Sequence, residues 1–158
     1  MTRETLQHVL KKHALWLRTR YNFKSEGERA DLRYVDLRGV DLRDAKNIPF
    51  IPYTCPDTGS FIGYKKANGY IIQLEIPQDA IRCSGTSRKC RCDKAKVLSI
   101  TTLDGKPTDI LSIPSNCDNS FIYTVGKVAE VTDFDTDRWN ECSAGIHFFI
   151  NRQEAVDY

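Results

Sequence analysis

The segment FIGYKKANGYIIQLEI, residues 61–76, decides the fold. Two runs rich in β-branched and aromatic residues flank Asn68 and Gly69. Asn-Gly is the dipeptide that suits a two-residue type I′ turn, so the segment predicts an antiparallel hairpin. Lys65 and Lys66 lie near its tip, where we expect exposed lysines.

More strands are predicted after the hairpin, because short apolar runs alternate with turn residues there. The runs are residues 95–101, 109–113, 121–125, 127–134 and 145–150. A short final helix is predicted after them, with Asn151 and Glu154 spaced as a capping box. The fold class is therefore α+β, dominated by an antiparallel sheet, and the main domain is placed at residues 50–158.

The N-terminal part predicts an amphipathic helix over residues 1–21. Its apolar side chains recur every three or four positions, at Leu6, Leu10, Ala14, Leu17 and Tyr21. Residues 22–29 are polar and include Gly27, which indicates a linker.

Residues 30–49 repeat with a period of five, as ADLRY, VDLRG, VDLRD and a degraded AKNIP. They resemble pentapeptide repeats, in which four pentapeptides form one square turn of a right-handed β-helix. That resemblance implies a single coil with Leu32, Leu37 and Leu42 pointing inward. Aspartates and arginines alternate along the run, so its outer surface is charge-balanced and unlike the acidic DNA mimics of that family.

Composition places the chain among ordinary soluble proteins, with 41% hydrophobic residues, 28% charged residues and a net charge of +2 over 158 residues. No apolar run approaches the roughly 20 residues of a membrane span, and the charged N-terminus is unlike a signal peptide. We therefore expect a cytosolic protein without a membrane partner. In a reducing cytosol its six cysteines would be thiols or metal ligands.

The segment 82–96 is strongly basic, whereas residues 130–141 are acidic. The preferred interpretation is that the two segments are solvated or face each other. A phosphate-binding loop is the alternative, because SGTSRKCR at 84–91 offers a glycine, three hydroxyls and three cations. A nucleotide or a nucleic-acid backbone would each suit such a loop. The candidate ligand-binding residues are Arg82, Arg88, Lys89, Arg91, Tyr64, Lys65 and His147.

Zinc is the one cofactor that the cysteine spacing suggests. Cys83, Cys90 and Cys92 are spaced C-x₆-C-x-C, and Cys142, Cys117 or His147 could complete a tetrahedron, with Cys142 the preferred fourth ligand. The C-x-C is tighter than the usual knuckle and no second knuckle follows. Unligated thiols and no cofactor are therefore the preferred interpretation.

Several segments together resemble a domain of bacteriophages and large DNA viruses that commonly follows pentapeptide repeats. They are KKHALWLR at 11–18, GYKKANGYIIQLEIP at 63–77, RKCRCDKAKVLSI at 88–100 and ECSAGIHFF at 141–149. The resemblance implies a viral origin and this fold, and it brings no catalytic residues with it. We expect a non-catalytic accessory protein in the host cytosol that binds a host protein, in host takeover or counter-defence. Binding of a phosphate-bearing ligand through residues 82–96 is the alternative.

An enzyme is the least favoured hypothesis. GIHFFINRQEAVDY and the YKK at 64–66 are similar to segments of ADP-ribosyltransferases, but those enzymes need a later strand with a catalytic glutamate. Only eight residues follow Ile150. His147 lies between apolar residues of a predicted strand and is interpreted as a hydrogen-bonded sheet histidine rather than a general base.

Overall fold

The computed structural model describes residues 3–19, 24, 26–28, 30 and 51–158. Backbone contacts divide the chain into two units, Met1–Leu37 and Arg38–Tyr158, and each is described by itself. The predicted repeat coil at 30–49 lies outside the described residues apart from Ala30. The domain boundaries predicted from the sequence stay predictions.

The first unit contains the predicted N-terminal helix, α1, at Arg3–Thr19. The segment after it packs back on the helix: the Glu28 amide donates to the Lys12 carbonyl at 3.3 Å, and the Ala30 amide donates to His13 Nδ1 at 3.2 Å. Thr19 closes the end of α1 through hydrogen bonds with the Glu26 backbone. Neither this helix nor the other described one has the length and apolarity to cross a membrane.

The predicted hairpin is confirmed. Strands β1 (Phe61–Ala67) and β2 (Tyr70–Ile76) pair antiparallel, from Phe61 opposite Ile76 to Ala67 opposite Tyr70. Asn68 and Gly69 both have positive φ, 47° and 81°, as a type I′ turn requires. Asparagine and glycine tolerate that conformation better than other residues, which is why this dipeptide fixes the register.

The rest of the second unit adds seven short strands and a final helix. In chain order they are β3 (Arg82–Ser84), β4 (Cys90–Cys92), β5 (Lys94–Thr102), β6 (Ser112–Pro114), β7 (Ile122–Thr124), β8 (Val128–Glu130), β9 (Ile146–Phe148) and α2 (Arg152–Asp157). Within the described residues they form three antiparallel sheets, ordered β1-β2-β5-β8, β3-β4-β9 and β6-β7. The α+β class with a mainly antiparallel sheet is confirmed.

Several strand bounds differ from the sequence prediction. The basic segment contains the hairpin β3–β4, which Asp93 closes through hydrogen bonds with the Ile81 backbone. Strand β6 begins at residue 112 rather than 109, and β8 ends at residue 130 rather than 134. Pairing with neighbouring strands determines where these strands end. The Val131 amide still donates to the Asp93 carbonyl, and no pairing between β8 and β5 continues beyond Val131 in the described chain.

The core lies where the first two sheets meet. Ile72, Leu74, Val97 and Phe148 are fully buried there. Tyr64 on β1 and Phe149, which follows β9, exchange two backbone hydrogen bonds of 2.8 Å. That bridge brings β9 beside β1 and thereby places the side chains of Lys65 and His147 in one region.

Helix α2 covers part of the second face of the four-stranded sheet, where Ala155 packs with Ile71 and Phe149. Asn151 is its N-cap and accepts from the Gln153 amide at 2.8 Å, as predicted. The reciprocal half of the predicted capping box is not made. Glu154 instead accepts from Arg88 Nε at 2.8 Å.

Candidate functional site

Arg82, a predicted ligand residue, is 7% exposed and serves the backbone. Its guanidinium donates to the carbonyls of Gly59 and Pro77 at 2.6 Å each and to that of Gln78 at 2.8 Å. The bonds to Pro77 and Gln78 hold the turn between β2 and β3, and the bond to Gly59 ties that turn to the segment before β1. Together they use the donors that a phosphate would need.

Arg91, the second predicted arginine, is 2% exposed. It donates to the carbonyls of Ala144 at 2.6 Å and Asp137 at 2.9 Å, with its guanidinium 5.1 Å from the Phe134 ring centroid. Arg91 therefore ties β4 to residues 137–144, at the end of the acidic segment and just after it.

Arg138 belongs to the acidic segment and was not predicted as a site residue. Its Nε donates to the Ser84 carbonyl and its Nη1 to the Ile51 carbonyl, both at 2.8 Å. The guanidinium lies 4.5 Å from the ring centroids of Tyr53 and Trp139. Its Nη2 is buried and has no hydrogen-bond acceptor among the described residues.

The predicted phosphate loop does bind an anion, but that anion is the side chain of Glu141. Oε1 accepts from the amides of Thr86 at 2.6 Å and Ser87 at 3.0 Å, and the hydroxyls of both residues also donate to the carboxylate. A Cβ at Gly85 would lie 2.2 Å from Oε1, so only glycine permits this approach. The basic and acidic segments thus face each other.

The pKa of Glu141 is lowered by this arrangement. Burial has the largest single influence and acts to raise the pKa, but the hydrogen bonds from Ser87 and Thr86 together outweigh it. The carboxylate is therefore ionised at neutral pH and stabilises the loop.

Two more predicted ligand residues are engaged in packing or pairing. Arg88 forms an ion pair with Glu154 at 2.8 Å, where its side chain is 51% exposed. Tyr64 packs with Ile71, Phe149 and Val156 beneath α2.

Lys65, Lys89 and His147 are the predicted ligand residues that the structure brings together. Lys65 lies opposite Ile72, on the core side of the hairpin, so our expectation of an exposed lysine at this position was wrong. Its Nζ donates to the His147 carbonyl at 3.3 Å and lies 5.7 Å from the Tyr123 ring centroid. Burial lowers the pKa of Lys65.

Lys89 and His147 complete this group, which we name the lysine cluster (Lys65, Lys89 and His147). Lys89 Nζ lies 3.3 Å from Cys142 Sγ and 5.8 Å from the Tyr158 ring centroid. His147 Nε2 lies 3.1 Å from the Glu141 carbonyl oxygen, which can only accept, so Nε2 carries the proton. Burial, followed by the charges of Lys89 and Lys65, lowers the pKa of His147 to about 4.

The lysine cluster carries positive charge that no carboxylate balances in the described part of the chain. The ion pairs formed there involve Lys12, Arg88, Lys94 and Lys106 rather than Lys65 or Lys89. A buried or half-buried ammonium without a carboxylate partner is costly, and an external anion would relieve that cost. Chemically, the cluster is suited to hold an anion.

The four predicted zinc ligands do not converge. Cys83 is paired with Arg91 and shares its face, whereas Cys90 and Cys92 point to the opposite face of β4. Cys142 is exposed beside Lys89. No three His, Cys, Asp or Glu side chains within the described ranges could hold a metal ion together, and the zinc hypothesis stays untested.

A contact that the sequence reasoning missed is that of Cys90 with Cys55. A hydrogen bond between the two thiols, followed by burial, raises the pKa of Cys90. Glu141 and Arg138 were missed as individual residues too. The sequence signal for these contacts was the opposite charge of residues 82–96 and 130–141. That signal does not identify which side chains are in contact.

Comparison with known proteins identifies a relative from a large DNA virus. The chain is 38% identical over 96 residues to a protein of Acanthamoeba polyphaga mimivirus described as "Uncharacterized protein L223". The match covers 56% of this chain and 61% of the relative, so the chain spans less than two thirds of that protein's length. No solved structure matches the chain.

These findings support the resemblance to a domain of large DNA viruses and give no evidence for pentapeptide repeats. A family profile matches residues 51–155, which include β1 to β9, the lysine cluster and Glu141. The chain therefore belongs to the family described as "Family of unknown function (DUF5758)".

Proposed function

We propose that this protein acts by binding a phosphate-bearing ligand at the lysine cluster. The observation that carries the proposal is the pair of lysine ammonium groups, on Lys65 and Lys89, that lack a carboxylate partner in the described chain beside a neutral His147. The protein would then be a viral accessory protein of the host cytosol whose role is recognition rather than chemistry.

Phosphate is the anion that this chemistry favours. Lysine is a compact point charge that binds phosphate oxygens without fixed geometry, and two of them match a dianion better than a monoanion. Lys65 lies in a partly buried environment, where Coulomb attraction is stronger than in water. His147 is neutral at pH 7, and an adjacent dianion would favour its protonated, doubly donating form.

The test is calorimetric titration of the full chain with inorganic phosphate, pyrophosphate and nucleoside mono-, di- and triphosphates. We expect Lys65→Met to weaken the binding of the best of these at least tenfold. Lys106→Ala is the matched control, because Lys106 is a 78% exposed lysine already paired with Asp104. Equal affinities of the wild type and Lys65→Met, or no binding by the wild type, would reject the proposal.

His147 offers a second readout that a merely structural role would not give. An anion bound beside the imidazole raises its pKa, because it stabilises the imidazolium. The ring resonances of His147, followed by NMR against pH, should therefore titrate at higher pH in the presence of the ligand. An unchanged titration at saturating ligand would place the ligand elsewhere.

Binding of a host protein is the second candidate. The part of the second face of the four-stranded sheet that α2 leaves uncovered, which we name the outer face, favours it. Val128, Lys96, Glu75 and Ile62 lie side by side across β8, β5, β2 and β1. Val128 is 56% exposed and Ile62 is 37% exposed, so this row combines accessible apolar and charged groups. Core positions of protein interfaces have that apolar character, with charges at the rim.

Cross-linking of the tagged chain in host lysate tests this candidate. A partner that is lost with Val128→Lys but retained with Lys65→Met would support the outer face. A partner that survives Val128→Lys and Ile62→Asp together would reject that face as the contact surface.

A further inference from the structure

The contact between Glu141 and loop 84–88 is more than a surface ion pair. Two backbone amides and two hydroxyls of Thr86 and Ser87 converge on one carboxylate. Successive amides that point to one spot form an anion-binding concavity, and the SGTS sequence provides it with no lysine or arginine at the contact itself.

The same loop borders a crevice that has no room for a water molecule. Lys89, Arg91 and Arg138 line it together with Glu141, so three cations surround one anion. The buried Nη2 of Arg138 belongs to a guanidinium that lines this crevice, and no acceptor reaches it from the described chain.

We propose that loop 84–88 is an anion-binding cradle whose resident ligand is the Glu141 carboxylate, and that a phosphate group displaces Glu141 from it. This is a second anion site, which shares Lys89 with the lysine cluster. The inference does not depend on the proposed function, because the other two members of that cluster, Lys65 and His147, do not line the crevice.

Displacement is chemically reasonable because the donors suit either anion. A carboxylate offers two oxygens, and both are engaged by Thr86 and Ser87. A phosphate offers more oxygens than a carboxylate, and one of them could accept from Arg138 Nη2, which the Glu141 carboxylate does not reach. Glu141 is tethered to the same chain, so it competes at high effective concentration and weakens external binding.

The experiment compares the thermal unfolding midpoints of the wild type, Glu141→Gln and Glu141→Ala with increasing inorganic phosphate. Potassium chloride at matched ionic strength controls for screening. Since phosphate stabilises most folded proteins by exclusion from their surface, the wild type controls for that general effect. We expect the largest upward shift for Glu141→Ala, a smaller one for Glu141→Gln, whose amide oxygen still occupies the cradle, and the smallest for the wild type. Equal shifts in all three proteins would overturn the inference.

A second measurement applies if Glu141→Ala does not fold. In Glu141→Gln, phosphate should move the amide resonances of Thr86 and Ser87 in an NMR titration, and unmoved resonances would overturn the cradle. The same titration in a Glu141→Gln, Lys65→Met double variant separates the two sites. A response that Lys65→Met abolishes belongs to the lysine cluster and overturns the inference, whereas a retained response supports it even if the proposed function fails.

Discussion

Positively charged side chains have opposite environments in two regions of the main domain. Around loop 84–91, Arg82, Arg91 and Arg138 give their donors to backbone carbonyls. In the lysine cluster, Lys65 and Lys89 have a carbonyl and a thiol as their hydrogen-bond acceptors. The donors of these arginines are therefore largely committed to the backbone, whereas the two ammonium groups, one of them on Lys89 of the same basic segment, have no carboxylate partner in the described chain.

The difference follows from the shapes of the two cationic groups. A guanidinium has five donors in a rigid plane and can bridge two or three carbonyls that belong to different segments. A guanidinium can therefore stabilise a domain of short strands by connecting its loops through hydrogen bonds. An ammonium has no such plane. The charge of a lysine on the core side of a strand therefore stays uncompensated unless an anion binds beside it.

The largest effect is expected for Arg91→Ala, which removes the tie between β4 and residues 137–144. Two carbonyls, of Ala144 and Asp137, lose a charged donor in a site where Arg91 is 2% exposed. Each such bond contributes about 1.5–3 kcal/mol, so the free energy of unfolding should fall by about 3–5 kcal/mol in urea denaturation.

Arg91→Lys separates charge from geometry. It keeps the positive charge but cannot bridge both carbonyls, so it should lose most of the same free energy. If Arg91→Lys were as stable as the wild type, charge alone would explain the role of Arg91, and the distinction between the two regions would fail.

The second largest effect is a pH dependence that originates in the lysine cluster. The pKa of His147 is lowered from 6.5 to about 4 in the folded chain, by burial first and then by Lys89 and Lys65. Between pH 6.5 and about 4, His147 is therefore protonated in the unfolded chain and neutral in the folded chain. Stability is fully present above pH 6.5 and decreases by about 3 kcal/mol as the pH falls to the folded pKa.

His147→Gln should remove this slope between pH 6.5 and 4, as measured by urea denaturation at several pH values. Glu141 acts in a lower window: its pKa is lowered from 4.5, so its contribution is lost only as the pH falls below that value. An unchanged slope in His147→Gln would show that another group is responsible.

How much of this arrangement the sequence could predict depends on the range of the interactions. The hairpin at 61–76 follows from a local turn dipeptide, and the N-cap of α2 follows from Asn151, so both were predicted correctly. The clustering of Lys65 with His147 depends on the bridge between Tyr64 and Phe149, which are far apart in the chain. No local pattern encodes such a pairing.

The predicted phosphate loop shows the same limit in another form. Thr86 and Ser87 of SGTSRKCR hold a carboxylate of the same chain, and binding of an external phosphate by this loop stays a prediction. Its occupant, Glu141, lies more than fifty residues away in the chain, so only tertiary structure could show that the site is filled from within. Charge counts likewise treated Arg82 and Lys89 alike, although one is buried among carbonyls and the other is not.

A smaller effect is expected for the stability of Lys65→Met. The substitution keeps an apolar side chain of similar length and removes a partly buried charge that has one carbonyl acceptor at 3.3 Å. The free energy of unfolding should rise by about 1–2 kcal/mol at pH 7. The advantage should shrink in alkaline solution, because the unfavourable charge is relieved between the lowered folded pKa of Lys65 and its unfolded value of 10.5. A loss of stability would mean that Lys65 is compensated after all.

The smallest effect on stability is expected for Arg88→Ala, which removes a solvent-exposed cation from the same loop. Arg88 and Glu154 form an ion pair whose side chains are 51% and 31% exposed. Solvent screening limits such pairs to about 0–1 kcal/mol, so the urea midpoint should change little compared with Arg91→Ala. If the two substitutions cost the same, the position of a cation in the loop would not govern its contribution. If Arg88→Ala also left phosphate binding unchanged, Arg88 would have no role in recognition, and the lysine cluster and the Glu141 cradle would be the two sites left to compare.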